Sequence, residues 1–254
     1  MRIRRRRAAI FAVAAAGVLA LAGIAIAAPN GNSSSVNFKF SPNTGLSATN
    51  FKAGQIFVHT HTNYKNPGNK SLGGFVHRVQ LYFDNDFKFT TSGVPKCTAN
   101  FASNTTMKAA MQACSTAKVG SGTASTAPPS NFAGCVLAFN GPLKNNHPTI
   151  KLFTRVTFAA TADCSSPATN TKGNTSVTLT GELKPANKAG FGKMLDVNNV
   201  DNAPLPLDDF TTTVKRGNYV AARCSASPWR MQAKFTYTDG QSDTVNPTQA
   251  CSRG

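Results

Sequence analysis

Residues 229–240 read Trp229-Arg230-Met231-Gln232-Ala233-Lys234-Phe235-Thr236-Tyr237-Thr238-Asp239-Gly240. Trp229, Met231, Ala233, Phe235 and Tyr237 alternate with polar or charged neighbours. A period of two places those five side chains on one face of a β-strand, against a core, and leaves Arg230, Gln232, Lys234 and Thr236 outside. Asp239-Gly240 is the kind of pair that closes a tight hairpin, and 241–246 reads as the returning strand.

The same alternation runs through the rest of the chain. Val36, Phe38 and Phe40 alternate with polar residues, and 55–62 is rich in β-formers. Phe75, Val79, Leu81 and Phe83 share a face over 75–83. Further strands are expected at 118–126, 133–139, 149–160, 174–183, 191–200, 207–215 and 218–224. Asn66-Pro67-Gly68, Gly73-Gly74, Asn140-Gly141-Pro142 and Lys172-Gly173-Asn174 read as turns between them. Gly120 and Gly122 suit a bend or a close backbone approach. One segment is helical in pattern: over 105–114, Met107, Met111 and Cys114 fall on one face, with Asn104 or Thr105 as cap.

Composition agrees. The chain of 254 residues has 28 Thr against 27 Lys plus Arg, and a single Glu, Glu182. β-branched Thr favours strands, and a chain with a single Glu lacks the Glu–Lys pairs of exposed helices. Many short strands with no βαβ alternation predict an all-β protein. The expected architecture is an antiparallel β-sandwich, Ig-like or jelly-roll-like, with one short helix near 105–114. No stretch reads as an interdomain linker, so 36–254 is expected to be one domain.

The N-terminus has the layout of an export signal. Arg2 and Arg4 to Arg7 precede an apolar run over 8–28, which ends in Ala25-Ile26-Ala27. Cleavage after Ala27 is expected, with 28–35 as a flexible lead-in. The other reading of 1–27 is an uncleaved membrane anchor, since the run is long enough to span a bilayer. The formal charge of +17 includes five of these arginines; without them 22 basic residues face 10 acidic ones, leaving +12. The cations are scattered, the tightest groups being Lys215-Arg216 and Lys184, Lys188, Lys193. A nucleic-acid reader would show a basic stripe interleaved with aromatics. Outside the cytoplasm, anionic cell-wall polymer or another envelope protein is the expected partner, with membrane contact only through an uncleaved N-terminal segment.

Six cysteines, Cys97, Cys114, Cys135, Cys164, Cys224 and Cys251, all follow the signal, and an even number in an exported chain points to disulfides. Six cysteines allow 15 pairings. The nearest-neighbour choice is 97–114, 135–164 and 224–251.

Residue types that carry chemistry are few. His59 and His61 flank Thr60 on one strand, and His77 lies on the next expected strand. Three imidazoles converging there would suit zinc or copper. Against this, Phe75, Val79 and Leu81 share the face of His77, and no second-shell carboxylate is recognisable. Asp84 with Asp86, and Asp208 with Asp209, are the carboxylate pairs a glycoside hydrolase would need. Val119-Gly120-Ser121-Gly122 resembles part of a phosphate loop but lacks its Gly-Lys-Ser/Thr ending. No cofactor is implied.

Several runs together resemble a known group: Phe83-Asp84-Asn85-Asp86-Phe87-Lys88-Phe89, Gly93-Val94-Pro95-Lys96-Cys97, Ala113-Cys114, and Lys118-Val119-Gly120-Ser121-Gly122-Thr123-Ala124. Ala138-Phe139-Asn140-Gly141-Pro142, Leu205-Pro206-Leu207-Asp208-Asp209-Phe210, Cys224, Trp229, Lys234 to Gly240 and Cys251 continue it. In this order, over roughly 75–254, they resemble an uncharacterised group of exported, disulfide-containing, β-rich proteins of high-GC Gram-positive bacteria. The resemblance implies disulfides Cys97–Cys114 and Cys224–Cys251, makes Cys135 and Cys164 additions in this member, and supplies no catalytic residue. The expected function is non-enzymatic binding or structural association in the cell envelope or outside medium. A polysaccharide or wall hydrolase using Asp carboxylates and a metal-binding envelope protein using His59, His61 and His77 are the alternatives.

Overall fold

The computed structural model describes residues 30–68, 74–130, 132–157, 175–202 and 206–254. The export signal expected at 1–27, Cys164 and the turn expected at 172–174 lie outside them.

β1 (Ser33–Ser41) pairs with β3 (Gln55–Asn63), and β3 with β11 (Leu207–Val214). From there the sheet continues through β6 (Lys118–Thr126), β7 (Ala133–Lys144), β8 (His147–Thr157), β9 (Thr175–Lys188), β10 (Phe191–Asn198), β4 (Val76–Asp84), β13 (Trp229–Tyr237) and β14 (Ser242–Val245). β15 (Thr248–Gln249) pairs with the start of β13. All these pairings are antiparallel. The large sheet is nearly closed, so the two layers of the expected sandwich are opposite walls of one sheet. A small sheet of β2 (Lys52–Ala53), β12 (Val220–Ala222) and β5 (Phe87–Phe89) covers one end.

Side chains close the seam between β1 and the last strands. The Gln249 amide takes the place of a ladder rung: Phe40 N donates to its Oε1 at 2.6 Å, and its Nε2 donates to Phe40 O at 2.9 Å. Farther along, Asp243 Oδ2 accepts from Ser34 N at 3.0 Å and from Tyr237 OH at 2.6 Å. These bonds are buried, where an unmade backbone bond would be costly. They also move a boundary: Ser33 to Ser35 are paired strand and not lead-in, because Ser34 satisfies the buried acceptor that the seam needs.

The decisive run behaves as its pattern requires. Trp229, Met231, Ala233, Phe235 and Tyr237 are each 1% exposed or less. The expected turn at Asn140-Gly141-Pro142 is different: it lies within β7. Asn140 is buried, its Nδ2 donating to Val94 O at 2.9 Å and its Oδ1 accepting from Tyr219 OH at 3.2 Å. The hairpin closes instead at Asn145-Asn146, whose φ values of 51° and 62° are those of a two-residue type I′ turn. Gly120 and Gly122 are a close approach, not a phosphate loop. Within β6, a Cβ on either would sit 2.2 Å from Thr213 O or 1.9 Å from Thr211 O.

α1 (Met107–Cys114) starts two residues later than expected, capped by Thr106, whose Oγ1 accepts from Ala109 N at 3.1 Å. It lies on the outside of the large sheet. Its buried Met107, Ala110 and Cys114 pack on Cys135, Leu137, Phe139 and Phe153, which leaves β7 buried on both faces. Cys97–Cys114 and Cys224–Cys251 are formed, with Cα separations of 5.2 Å and 6.0 Å. Cys135 is also disulfide-bonded. Such bonds fit an oxidising compartment. Cys97–Cys114 spans 17 residues, and a loop of that length is worth about 3 kcal/mol by chain entropy. The double variant Cys97→Ser/Cys114→Ser is therefore expected to lose about that much in urea unfolding; an unchanged midpoint would mean the helix is held by packing alone.

Candidate functional site: an apolar interior cavity

Inward positions of six strands leave a space unfilled. β3 contributes Ile56, Val58 and Thr60; β11 contributes Leu207, Phe210, Thr212 and Val214. Facing them are Val79, Leu81 and Phe83 of β4, Ile150 and Leu152 of β8, Leu179 and Leu183 of β9, and Leu195 and Val197 of β10. Together with Val200 and Phe89 they line a cavity of about 90 Å³. One water needs only roughly 10–15 Å³, so the space is large, and an apolar cavity of this order stays dry. Packed protein interiors leave few voids even of water size.

The cavity runs along the sheet axis. At one end Phe83 meets Phe89, with ring centroids 4.9 Å apart, and Phe87, Trp229 and Phe40 stack behind them with centroids 5.2–5.6 Å apart. This aromatic plug lies under the small sheet. At the other end the space continues into a smaller pocket of about 20 Å³ that shares Thr60, Val79, Val200 and Leu207 and adds Thr62, Val76, Asp208 and Phe235. The β3–β4, β8–β9 and β10–β11 connections all leave from this end.

Two threonines interrupt the run of hydrocarbon residues in the wall. Thr60 pairs with Phe210 and Val58 with Thr212, so Thr60 and Thr212 are diagonal neighbours on one inner face. Thr212 Oγ1 is buried and has no hydrogen-bond partner among the described residues. Among the described residues, Asp208 is the one ionisable side chain lining either space. Burial raises its carboxyl above the usual range, opposed by the nearby His61 and reinforced by the neighbouring carboxylate of Asp209.

The histidines are outside. On the outer face of β3, His59 Nε2 lies 2.6 Å from Asp209 Oδ2, and His61 Nδ1 lies 3.2 Å from Asp208 Oδ1. The expected convergence with His77 is not made, because β3 and β4 are not adjacent strands. His77 Nδ1 instead meets Asp201 Oδ1 at 2.8 Å. Among the described residues no three His, Cys, Asp or Glu side chains are placed to hold one metal ion.

The expected Asp84–Asp86 pair serves the backbone. Asp84 Oδ1 accepts from Asp86 N at 3.1 Å and Asp84 Oδ2 from Arg230 N at 3.1 Å. Asp86, 1% exposed, accepts from Arg223 Nε at 2.9 Å and from Ser225 N at 2.6 Å. A pair that sequence reading misses is Glu182 and Asp196, directly opposite each other on β9 and β10. Lys184 Nζ bridges them, 3.3 Å from Glu182 Oε2 and 2.9 Å from Asp196 Oδ2; Lys144 and Arg78 complete the chain of charges. Burial would raise both carboxyls, but the Lys and Arg hydrogen bonds outweigh it and hold both below the usual range. General-acid work needs a carboxyl raised instead, so this pair is a structural clamp. Three of the grouped cations are engaged: Lys184 in this clamp, Lys188 over the Tyr82 and Phe191 rings, and Arg216, whose Nη1 donates to Lys118 O at 2.9 Å.

No signal in the alternation marks the hollow, since filled and hollow sheets have the same inward residues. No protein-family model matches the chain, and no curated protein and no solved structure matches it.

Proposed function

We propose that this is an exported, non-enzymatic binding protein that carries a small water-insoluble molecule inside its nearly closed sheet. The observation that carries the reading is the interior cavity, walled by 16 hydrocarbon side chains and two threonines. Closed sheets of moderate strand number commonly hold one small ligand. An apolar molecule outside the cell gains free energy by leaving water for such a wall. The Arg-rich start with its apolar run, the formed disulfides and the resemblance to exported proteins support the location. The polar outer positions, such as Ser35, Asn37 and Lys39 of β1 and Ser121, Thr123 and Ser125 of β6, support a water-facing exterior, the reverse of a lipid-facing barrel.

The test uses the neutral fluorescent probe N-phenyl-1-naphthylamine. Saturable binding with one site is expected. Leu152 lines the cavity, and Leu152→Trp is expected to weaken probe binding at least tenfold, a loss of about 1.4 kcal/mol or more, with an unchanged far-UV circular dichroism spectrum. Absence of saturable binding, or a folded Leu152→Trp variant that binds as well as the parent, would overturn the reading.

A further inference from the structure

We infer that the ligand is a hydrocarbon without polar groups, an alkane or alkene that lies wholly inside the sheet. This rests on the binding function proposed above and names the chemical class that the cavity selects.

Three observations converge. The first is the wall. Its residues are hydrocarbon apart from Thr60 and Thr212, and almost no polar surface faces the space. Thr212 Oγ1 is buried within the wall, so the threonines, like the leucines and valines, meet an occupant with carbon. A hydroxyl, carbonyl or carboxylate placed there gives up its water and finds no donor or acceptor in return. The second is the ends. One is shut by Phe83 and Phe89, with Phe87 and Trp229 stacked behind them. At the other, the polar side chains of the continuing pocket are already engaged. Thr62 Oγ1 lies 3.3 Å from Ser34 Oγ, and Asp208 Oδ1 lies 3.2 Å from His61 Nδ1. A polar head reaching that end would compete for groups in use, and an anionic head would face the Asp208 carboxylate with no Lys, Arg or His among the described lining residues to offset it. The third is the emptiness of the space. A cavity of about 90 Å³ with such a wall is dry. An entering hydrocarbon therefore displaces no bound water, and every carbon gains wall contacts that the empty cavity lacks. Dry apolar cavities of this order take up benzene or xenon, which likewise carry no polar group.

The experiment is competition against N-phenyl-1-naphthylamine with three six-carbon molecules: hexane supplied through the vapour, 1-hexanol, and hexanoate at pH 7. Hexane is expected to displace the probe at the lowest dissolved concentration, with 1-hexanol at least tenfold weaker and hexanoate weaker still. Hexane vapour is also expected to raise the melting midpoint of the parent, since a ligand that binds only the folded state stabilises it. The Leu152→Trp variant, which fills the space, is expected to lose that rise; its far-UV circular dichroism reports that it is folded. Hexanol or hexanoate displacing the probe as well as hexane, no displacement by hexane, or an equal rise in the filled variant would each overturn the inference while leaving the binding function standing. If the probe itself does not bind the parent protein, the binding function fails.

Discussion

Replacing Trp229 by alanine is expected to cost about 3–5 kcal/mol, a large part of the 5–15 kcal/mol typical of a whole domain. Trp229 is fully buried and forms the back of the plug that shuts the cavity. Its ring meets Phe40 at 5.6 Å and Phe87 at 5.2 Å, in edge and tilted contacts. Its Nε1 donates to Arg223 O at 2.7 Å, tying the start of β13 to the segment that carries Cys224. Alanine removes the ring contacts and leaves a buried carbonyl unsatisfied. Trp229→Phe keeps most of the volume and loses only the hydrogen bond, so about 1–2 kcal/mol is expected. Since Trp229 is the single tryptophan, the midpoints are to be read by circular dichroism in urea. A loss under about 1 kcal/mol for the alanine variant would show that the neighbouring rings collapse into the gap.

The second large effect is expected at Asp196, and it depends on pH. Asp196 is 1% exposed and holds both Arg78 and Lys184. Removing one partner of a buried ion pair costs about 3–5 kcal/mol. Arg78 and Lys184 retain 38% and 26% side-chain exposure and can rehydrate in part, so Asp196→Ala is expected to lose about 2–3 kcal/mol at pH 7. The folded protein holds the Asp196 and Glu182 carboxyls below their ordinary range. Their stabilisation is therefore complete above the ordinary carboxyl range and is lost as pH falls below about 4 through the depressed values. Asp208 has the opposite sign: its raised carboxyl takes a proton more readily when folded, so its contribution improves as pH falls. Urea unfolding at pH 7 and pH 3 separates them. Asp196→Ala should lie well below the parent at pH 7 and approach it at pH 3; an equal gap at both values would mean the carboxylate acts by packing and not by charge.

Much of the fold was readable in particular residues. The alternation at Val36-Phe38-Phe40 and at Trp229 to Tyr237 marked inner faces, because a pleated strand must sort its side chains with period two. Asp239-Gly240 marked a hairpin for an equally local reason. The failures were local signals overridden by distant partners. Asn140-Gly141-Pro142 has turn chemistry, yet Asn140 is held in β7 by Val94 and Tyr219, far away in the chain. Ser33 to Ser35 read as a polar lead-in, but Ser34 meets Asp243 across the seam, 209 residues on. His59 and His77 read as neighbours because their strands are consecutive among the long ones, and strand order put six others between them along the sheet.

The sequence by itself determined the class, the inward faces, the helix and the pairs Cys97–Cys114 and Cys224–Cys251, because each rests on neighbours in the chain or on composition. Tertiary structure alone decided that the sheet curls nearly shut and that its inner side chains fail to meet in the middle. Whether inward leucines and valines touch across an interior depends on the curvature and spacing of walls that lie far apart in sequence, and no local pattern records that distance.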